Sequence, residues 1–252
     1  MPKVTDIKTY HAPDKLLQDR IIVITGAGDG IGRTAALACA QAGATVVLLG
    51  RTLSKLEAVY DAIENAQGPK PAIYPINFEG AVEHDYEALT EALTSEFGRI
   101  DGLLHNASEL GPRTPLAGYS SQAWMQVMQV NVTAPFMLTK ALMPLLEKSE
   151  DASVLFTGST VGLKGRAYWG AYAASKAATE NLMQTLADEM DGVSNIRANS
   201  INPGAVRTQM RATAYPAEDP QSVTAPEAIM GGYLYLLGPD SKGVNRQQFE
   251  AQ

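Results

Sequence analysis

The sequence predicts an α/β protein: a single-domain Rossmann fold with a doubly wound parallel sheet of about seven strands and helices on both faces. Short apolar, β-branched segments alternate with amphipathic segments along the chain, and this β-α-β alternation is typical of parallel sheets. The first of these strands also runs directly into a glycine-rich turn that opens a helix, an arrangement that binds dinucleotides.

The first half of the chain supplies three strands and two helices. Residues 20–25 are a β-branched run ending in glycines, as expected of a buried strand. A helix follows over residues 30–42 and a second strand over 44–49. Ser54 and Glu57 form a capping-box pattern that opens another helix, ending near residue 67. Residues 71–76 are a weaker strand candidate, because prolines disfavour the centre of a sheet.

The remaining elements continue the alternation without an internal repeat or a linker. Helices are predicted at residues 83–97, 120–148, 169–190 and 225–237, and strands at 100–105, 153–158, 196–201 and 247–251. We therefore expect an N-terminal arm over residues 1–19 and one domain over residues 20–252. Within that domain, residues 202–225 are proline-rich and long enough to be a lid or substrate loop.

Composition excludes several classes of protein. The chain has 252 residues, 45% hydrophobic and 19% charged, and can bury a core without disulfides or metal. Its net charge of −7 does not favour nucleic-acid binding. No run of about 18 apolar residues and no secretory signal is visible, so no membrane association and a cytoplasmic location are expected. Cys39, the single cysteine, lies in an apolar helical segment and is expected to pack rather than react.

Tyr172 and Lys176 form a candidate acid/base pair. Residues four apart share one face of a helix, so the ammonium of Lys176 can lie near the tyrosine hydroxyl. A cation there stabilises phenolate and lowers the tyrosine pKa. Ser159 follows a predicted strand and places another hydroxyl within reach of the same reacting oxygen. Alone, the Tyr/Lys spacing is also compatible with an amphipathic surface pair, and the rest of the chain decides between the two interpretations.

The segment Thr25-Gly-Ala-Gly-Asp-Gly-Ile-Gly32 is a candidate phosphate-binding loop. Gly26, Gly30 and Gly32 are spaced G-x-x-x-G-x-G and allow backbone N–H groups to approach a pyrophosphate. The following helix directs its N-terminal N–H groups and dipole at that anion. A glycine-rich turn without a ligand is the alternative, which the flanking strand and helix disfavour.

The end of the second strand predicts the choice of cofactor. An acidic residue there commonly binds the ribose of NAD, but this chain has Gly50 followed by Arg51. A guanidinium suits the 2′-phosphate of NADP, so we favour NADP (NADPH) over NAD. Asp29 opposes this prediction, since its carboxylate could repel the extra phosphate.

Taken together, these residues resemble the short-chain dehydrogenase/reductase family. The resemblance covers residues 20 to about 240 and more narrowly points to the bacterial YciK-type oxidoreductases. The narrower likeness rests on residues 48–51, 128–131, 169–176 and 210–212. The family likeness rests on Thr25-Gly26 with Gly30-Ile-Gly32, His105-Asn-Ala107, Asn131, Ser159, Tyr172 with Lys176, and Pro203-Gly204 with Thr208.

The resemblance implies a role for each of these residues. Tyr172 would be the acid/base, with Lys176 lowering its pKa and binding the nicotinamide ribose. Ser159 would polarise the substrate carbonyl, and Asn131 would hold a water that links Lys176 to solvent. Cofactor contacts would come from Gly26, Asp29, Gly30, Ile31, Gly32, Arg51, Asn77, Phe78, Asn106, Ala107, Tyr172, Lys176, Pro203, Gly204, Val206 and Thr208.

Three departures from the family pattern are visible. Ser108 replaces a glycine near the cofactor, where it narrows the pocket or adds a hydroxyl, and His105 is interpreted as a structural strand-end residue. Asn77 stands where an aspartate often lies near the adenine, and its side-chain carbonyl can still accept a hydrogen bond. The sequence also stops soon after the last strand candidate, so a segment covering the site is expected to be short or absent.

The predicted activity is reversible hydride transfer between NADPH and a small-molecule carbonyl or alcohol, with no metal. Ser159, Tyr172, Trp169 and Leu110 are candidate substrate contacts. Arginines 113, 166, 207 and 211 could pair with an acidic substrate or be solvated surface residues. Two alternatives stay open: an NADP(H)-binding sensor without turnover, and an NAD-dependent alcohol dehydrogenase. The alanine-rich helix over 169–190 and the helix over 120–148 favour a homodimer or homotetramer, as is common in the family.

Overall fold

The structure is a computed structural model that describes residues 6–252; the first five residues of the expected arm lie outside the described residues. Seven parallel strands form one sheet in the order β3-β2-β1-β4-β5-β6-β7, which confirms the predicted fold class. The strands are β1 (Ile21–Thr25), β2 (Thr45–Gly50), β3 (Ala72–Pro75), β4 (Gly102–His105), β5 (Ala152–Thr157), β6 (Ile196–Asn202) and β7 (Gln248–Glu250).

Helices cover both faces of the sheet, and one apolar core lies on each face. They are α1 (Gly30–Gln41), α2 (Leu53–Asn65), α3 (Glu83–Glu96), α4 (Ser121–Met128), α5 (Ala134–Leu146), α6 (Thr160–Leu163), α7 (Gly170–Met190), α8 (Gln209–Ala214) and α9 (Met230–Leu237). The central strands β1, β4 and β5 are buried along their whole length, as in parallel sheets covered on both sides. In the N-terminal segment, Ile7 and Leu17 are buried in the core beside α1 and α9.

Two local predictions were wrong. The helix expected over residues 120–148 is divided by a π-helical turn at Gln129–Thr133. Pro135 has no N–H, so the carbonyl of Asn131 cannot receive an α-helical bond from it. The capping box at Ser54 is also absent: α2 begins at Leu53 with Thr52 as its N-cap, and the Thr52 side chain makes no capping bond.

The strand order places the site. The chain moves outward from β1 to β2 and β3, then returns to β4 on the other side of β1. Loops that follow β1 and β4 therefore diverge and leave a crevice at the carboxyl ends of these strands. Within residues 6–252, no helix combines the length and apolar character needed to cross a bilayer.

Candidate active site

One continuous cleft lies across the carboxyl ends of the sheet, with a cavity volume of about 530 Å³. It extends from the glycine-rich loop and Arg51 at one end to Tyr172, Trp169 and Tyr215 at the other. The cleft thus joins the predicted nucleotide loop to the predicted acid/base pair. Among residues 6–252, no group of three His, Cys, Asp or Glu side chains is placed to hold a metal ion.

The glycine loop has the backbone geometry that its sequence requires. Gly26 and Gly30 adopt φ values of +67° and +50°, a region that favours glycine. A Cβ on Gly32 would lie 2.2 Å from the Gly26 carbonyl oxygen, so a side chain there cannot be accommodated. Gly32 therefore lies beneath the loop rather than in the cleft lining, and it allows α1 to begin against the turn.

Asp29 and Lys55 form an ion pair at the mouth of the nucleotide end. The Asp29 carboxylate caps α1 by accepting from the Gly30 N–H at 2.8 Å and pairs with the Lys55 ammonium. The hydrogen bond from Lys55 lowers the Asp29 pKa despite partial burial. Arg51 and Lys55 both line the cleft beside this carboxylate. The charge of Asp29 is therefore compensated, and Lys55 is a basic residue that the sequence interpretation missed.

Thr25 organises the junction between β1 and the loop after β4. Its Oγ1 accepts from the Asn106 N–H at 2.9 Å and the Ala107 N–H at 3.0 Å, and it donates to the Leu104 carbonyl at 3.2 Å. These bonds hold the two loops on either side of the crevice at a fixed separation. Asn106 and Ala107 thereby form the floor of the cleft opposite Gly26.

The Tyr172 hydroxyl lies near the hydroxyls of Ser159 and Ser108. Burial raises its pKa to about 12, and its interactions with the hydroxyls of Ser159 and Ser108 oppose part of that rise. Ser108 Oγ is buried and makes no regular hydrogen bond to the described residues, although it lies close enough to act on Tyr172. Ser108 therefore adds a hydroxyl to the site, which was one of the two expectations for this replacement.

Lys176 lies within reach of Tyr172 but is held by the backbone. Its Nζ lies 5.6 Å from the centre of the Tyr172 ring and donates to the Thr157 carbonyl at 2.8 Å. Burial lowers the Lys176 pKa to about 8, and Glu180 opposes this shift. Lys176 Nζ therefore lies near the phenol without a direct hydrogen bond to it, while the Ser159 and Ser108 hydroxyls interact with the phenol and lower its pKa.

The Asn131 side chain is fully engaged outside the cleft lining. Its Oδ1 accepts from the Glu109 N–H at 2.7 Å, and its Nδ2 donates to the Glu109 carbonyl at 2.9 Å and to Ser175 Oγ at 2.9 Å. Asn131 thus fixes the loop after β4 against α7. Its main-chain carbonyl lacks an α-helical donor because residue 135 is proline.

The loop after β6 completes the wall beside Tyr172. Gly204 has a φ of +72°, and the Asn202 side chain accepts from its N–H at 3.1 Å. The Gln252 side chain donates to the carbonyls of Pro203 and Ala205 at 2.5 and 3.0 Å. This C-terminal brace was not foreseen; the Gln252 amide fixes the loop instead of covering the site.

The structure brings most of the predicted site residues together. All but Gly32 and Asn131 line the cleft. His105 lies below it: His105 Nε2 is 2.8 Å from Thr139 Oγ1, and burial lowers its pKa to about 3, in keeping with a structural role. Met210, Ala214 and Tyr215 of the predicted substrate loop also line the cleft, as does Glu109 beside the predicted substrate contact Leu110. Thr52, Lys55, Ile76 and Val130 line it without a sequence signal that we recognised.

Comparison with known proteins gives one family. Residues 20–219 match the family model described as short chain dehydrogenase. The uncharacterized oxidoreductase YciK of Escherichia coli is 49% identical over 96% of both chains. A Pseudomonas syringae structure is 59% identical, with a TM-score of 0.95 over 96% of this chain and 98% of that one. A Shigella flexneri short chain dehydrogenase structure, solved as a complex with NADP, is 48% identical with a TM-score of 0.93 over 95% and 100% of the two chains.

Proposed function

The chain belongs to the short-chain dehydrogenase family of oxidoreductases, and from that membership we propose that it transfers hydride reversibly between NADP(H) and a carbonyl or alcohol group. The observation that carries the proposal is the continuity of the cleft from the glycine loop to the Tyr172 hydroxyl. A dinucleotide laid along this cleft brings its reacting end to a proton donor.

The chain's own residues fit NADP. The Gly26–Gly30 turn offers backbone N–H groups to a pyrophosphate at the start of α1, where Gly26, Gly28 and Gly30 carry no side chain. At the adenosine end, Arg51 offers a cation to a 2′-phosphate, and the Lys55–Asp29 ion pair lies beside it. Asp29 does not oppose this binding while Lys55 neutralises it. The NADP-bound relative from Shigella flexneri supports the same choice over NAD.

We assign proton transfer to Tyr172. Its pKa of about 12 keeps the phenol protonated at neutral pH, so it is ready to donate to a carbonyl oxygen in the reductive direction. Ser159, at the carboxyl end of β5, would hold the same oxygen through its hydroxyl. The bound nicotinamide supplies the hydride, while the side chains supply orientation and the proton.

Lys176 and Asn131 would support this transfer. The buried Lys176 ammonium lies between Tyr172 and the Thr157 carbonyl and can bind a ribose hydroxyl in the cleft. Because the Asn131 side chain is already used, its contribution to a proton relay would come from its main-chain carbonyl. Pro203, Gly204 and Thr208 would border the nicotinamide from the loop after β6.

The decisive test is Tyr172→Phe. We expect this variant to bind NADPH as the parent does and to lose about 10²- to 10⁴-fold in turnover, the usual contribution of a positioned acid. Tyr168→Phe is the matched control, because Tyr168 is exposed and outside the cleft lining. Near-parental turnover in Tyr172→Phe would remove the tyrosine from the mechanism. NADPH binding without turnover on any carbonyl by the parent would instead favour a sensor.

The cofactor assignment has its own test. Arg51→Asp should lower NADPH affinity and invert the preference toward NADH, since a carboxylate repels the 2′-phosphate and accepts from a ribose hydroxyl. NADH affinity serves as the internal control for folding. An unchanged NADPH affinity would show that Arg51 does not contact the phosphate.

We also propose that residues 20–252 act as one catalytic unit in which residues 202–225 form the substrate loop. A homodimer or homotetramer built on α4, α5 and α7 is the assembly we expect, and light scattering measures it. A mass equal to one chain would contradict this assembly.

A further inference from the structure

We propose that the substrate is an uncharged carbonyl compound with an apolar body, and that the site disfavours carboxylate substrates. This inference rests on the proposed function, because it concerns the pocket beside Tyr172. It depends on the apolar character of that pocket's wall and on the contacts that already engage Arg113 and Arg211 there.

The wall beside Tyr172 is apolar and aromatic. Leu110, Trp169 and Ala214 are buried in a small cluster of their own, with Met210 and Tyr215 packed against it. These five residues also line the cleft. A substrate whose carbonyl reaches Tyr172 must therefore place its remaining atoms against this surface, which stabilises apolar groups most.

Arg113 is part of the wall's support and not a binding group. Its guanidinium lies 4.7 Å from the centre of the Trp169 ring and 5.0 Å from that of Tyr215, and it donates to the Ala214 carbonyl. It is absent from the cleft lining. The guanidinium packs against both rings, so Arg113 stabilises their arrangement from outside the cleft lining.

Arg211 reaches the cleft but its charge is satisfied. Its Nε and Nη2 donate to the Glu218 carboxylate at 2.7 and 2.6 Å, a forked ion pair. Its guanidinium also lies 3.8 Å from the centre of the Tyr215 ring. A substrate carboxylate would have to displace Glu218 to use this arginine. Arg166 lies outside the cleft lining and donates to the Tyr215 hydroxyl at 3.2 Å.

Glu109 adds a negatively charged residue to the lining near the apolar wall. Glu109 lines the cleft next to Leu110, and its main chain is clamped on both sides by Asn131. Asn131 thus keeps Glu109 in the cleft lining, where a carboxylate disfavours a negatively charged substrate. The Lys176 ammonium is 4% exposed, donates to the Thr157 carbonyl and has the Glu180 carboxylate nearby, and this negative charge reduces its attraction for a substrate anion.

A matched pair of ligands tests the inference: methyl benzoylformate and benzoylformate carry the same ketone and ring, and the ester replaces the carboxylate charge of the acid with one methyl group. Each is titrated calorimetrically into the protein with and without saturating NADP, and each is offered with NADPH for turnover. We expect the ester to bind at least about tenfold more tightly than the acid in the NADP-loaded protein. Equal affinity, tighter binding of the acid, or no binding of either at millimolar concentration overturns the proposal.

A substitution supplies an independent arm. Glu218→Gln releases the Arg211 guanidinium and should raise the acid-to-ester affinity ratio by about fivefold or more. Glu227→Gln is the matched control, since Glu227 is exposed and lies outside the cleft lining. An unchanged ratio in Glu218→Gln would mean that Arg211 plays no part in excluding acids. Turnover of the acid in preference to the ester would contradict the proposal of an uncharged substrate but leave the proposed function intact. Failure of NADP to bind would contradict the proposed function itself.

Discussion

The Glu180 carboxylate lies one helical turn beyond Lys176 on α7 and opposes the burial-driven fall of the Lys176 pKa. Both residues are buried, and Glu180 accepts hydrogen bonds from Ser200 Oγ and Gln248 Nε2 at 2.7 and 2.8 Å. Strands β6 and β7 thus fix a negative charge behind the active-site ammonium. The charge state of Lys176 depends on this second residue as well as on the cleft.

Glu180→Gln should therefore narrow the pH range of activity. Without the carboxylate, the Lys176 pKa falls further below about 8, on the order of one unit. If the ammonium is required, kcat/KM declines at a correspondingly lower pH as pH rises. The measurement is the alkaline limb of the kcat/KM profile in parent and variant.

Ser200→Ala is the control for this prediction. It removes a hydrogen bond to Glu180 but keeps the carboxylate, so its alkaline limb should stay close to that of the parent. If both variants move the limb equally, packing and not charge is responsible. If Glu180→Gln leaves the alkaline limb of the kcat/KM profile unmoved, that limb does not report the ionisation of Lys176.

Lys55 should determine NADPH affinity through its pairing with Asp29. Lys55→Met leaves the Asp29 carboxylate unpaired beside the proposed 2′-phosphate site, and we expect NADPH affinity to fall by about tenfold or more. NADH affinity should change by less than about twofold, because NADH has no such phosphate. Unfolding stability should change little, because both partners are more than half exposed, at 53% and 57%.

Asp29→Asn is the complementary variant. Asparagine caps helices about as well as aspartate, so α1 should begin normally while the Lys55 ammonium is released from its ion pair and becomes available to the 2′-phosphate. NADPH affinity should rise a few-fold relative to NADH. Loss of affinity for both cofactors would instead point to a damaged glycine loop.

The strands and the glycine loop were predictable because their signals are local. Buried β-branched runs define β1 and β2, and the steric demand for glycine at position 26 follows from the turn. The division of the helix at Asn131 was harder, although Pro135 carries the reason for it. Lys55 was missed because its importance arises from Asp29, 26 positions away, and no periodicity connects the two.

For the acid/base pair, the sequence predicted the two residues but not the contacts around them. Spacing placed Tyr172 and Lys176 on one helical face, and the structure has them together. Spacing could not show that Lys176 donates to the Thr157 carbonyl or that Ser108 approaches the phenol. Those contacts come from β5 and the loop after β4, so they depend on tertiary packing. The same holds for Tyr215, which reaches Trp169 only once α8 folds over the cleft.

Gly32→Ala should abolish cofactor binding and destabilise the domain. The added Cβ would lie 2.2 Å from the Gly26 carbonyl oxygen, and that backbone atom cannot move without distorting the turn. A loss of about 1–3 kcal/mol or more is expected from such overpacking. Chemical denaturation and NADPH titration measure the two effects.

Gly80→Ala is the control for the glycine prediction. A Cβ there has no neighbour within 4 Å and the backbone is not in the left-handed region, so stability and NADPH affinity should remain near the parental values. A well-folded Gly32→Ala protein with normal NADPH affinity would contradict the close approach of α1 to the turn.

His105 should make the protein acid-sensitive. Burial between Phe156 and Thr139 lowers its pKa to about 3, whereas an unfolded histidine titrates near about 6.5. Between these values the unfolded chain binds the extra proton, so the stabilising effect of neutral His105 is complete above about pH 6.5 and is lost as pH falls toward 3. The slope from this one group is at most about 1.4 kcal/mol per pH unit.

His105→Asn should remove that slope even if it lowers stability overall. The measurement is the free energy of unfolding at several values between about pH 4 and 6, compared as a difference between parent and variant so that other titrating groups cancel. His84→Asn is the matched control, since the His84 side chain is 87% exposed and should leave the slope as it was. A parental slope in His105→Asn would mean that the His105 imidazole is already protonated in the folded protein, and its hydrogen bond to Thr139 would then have to run from nitrogen to oxygen.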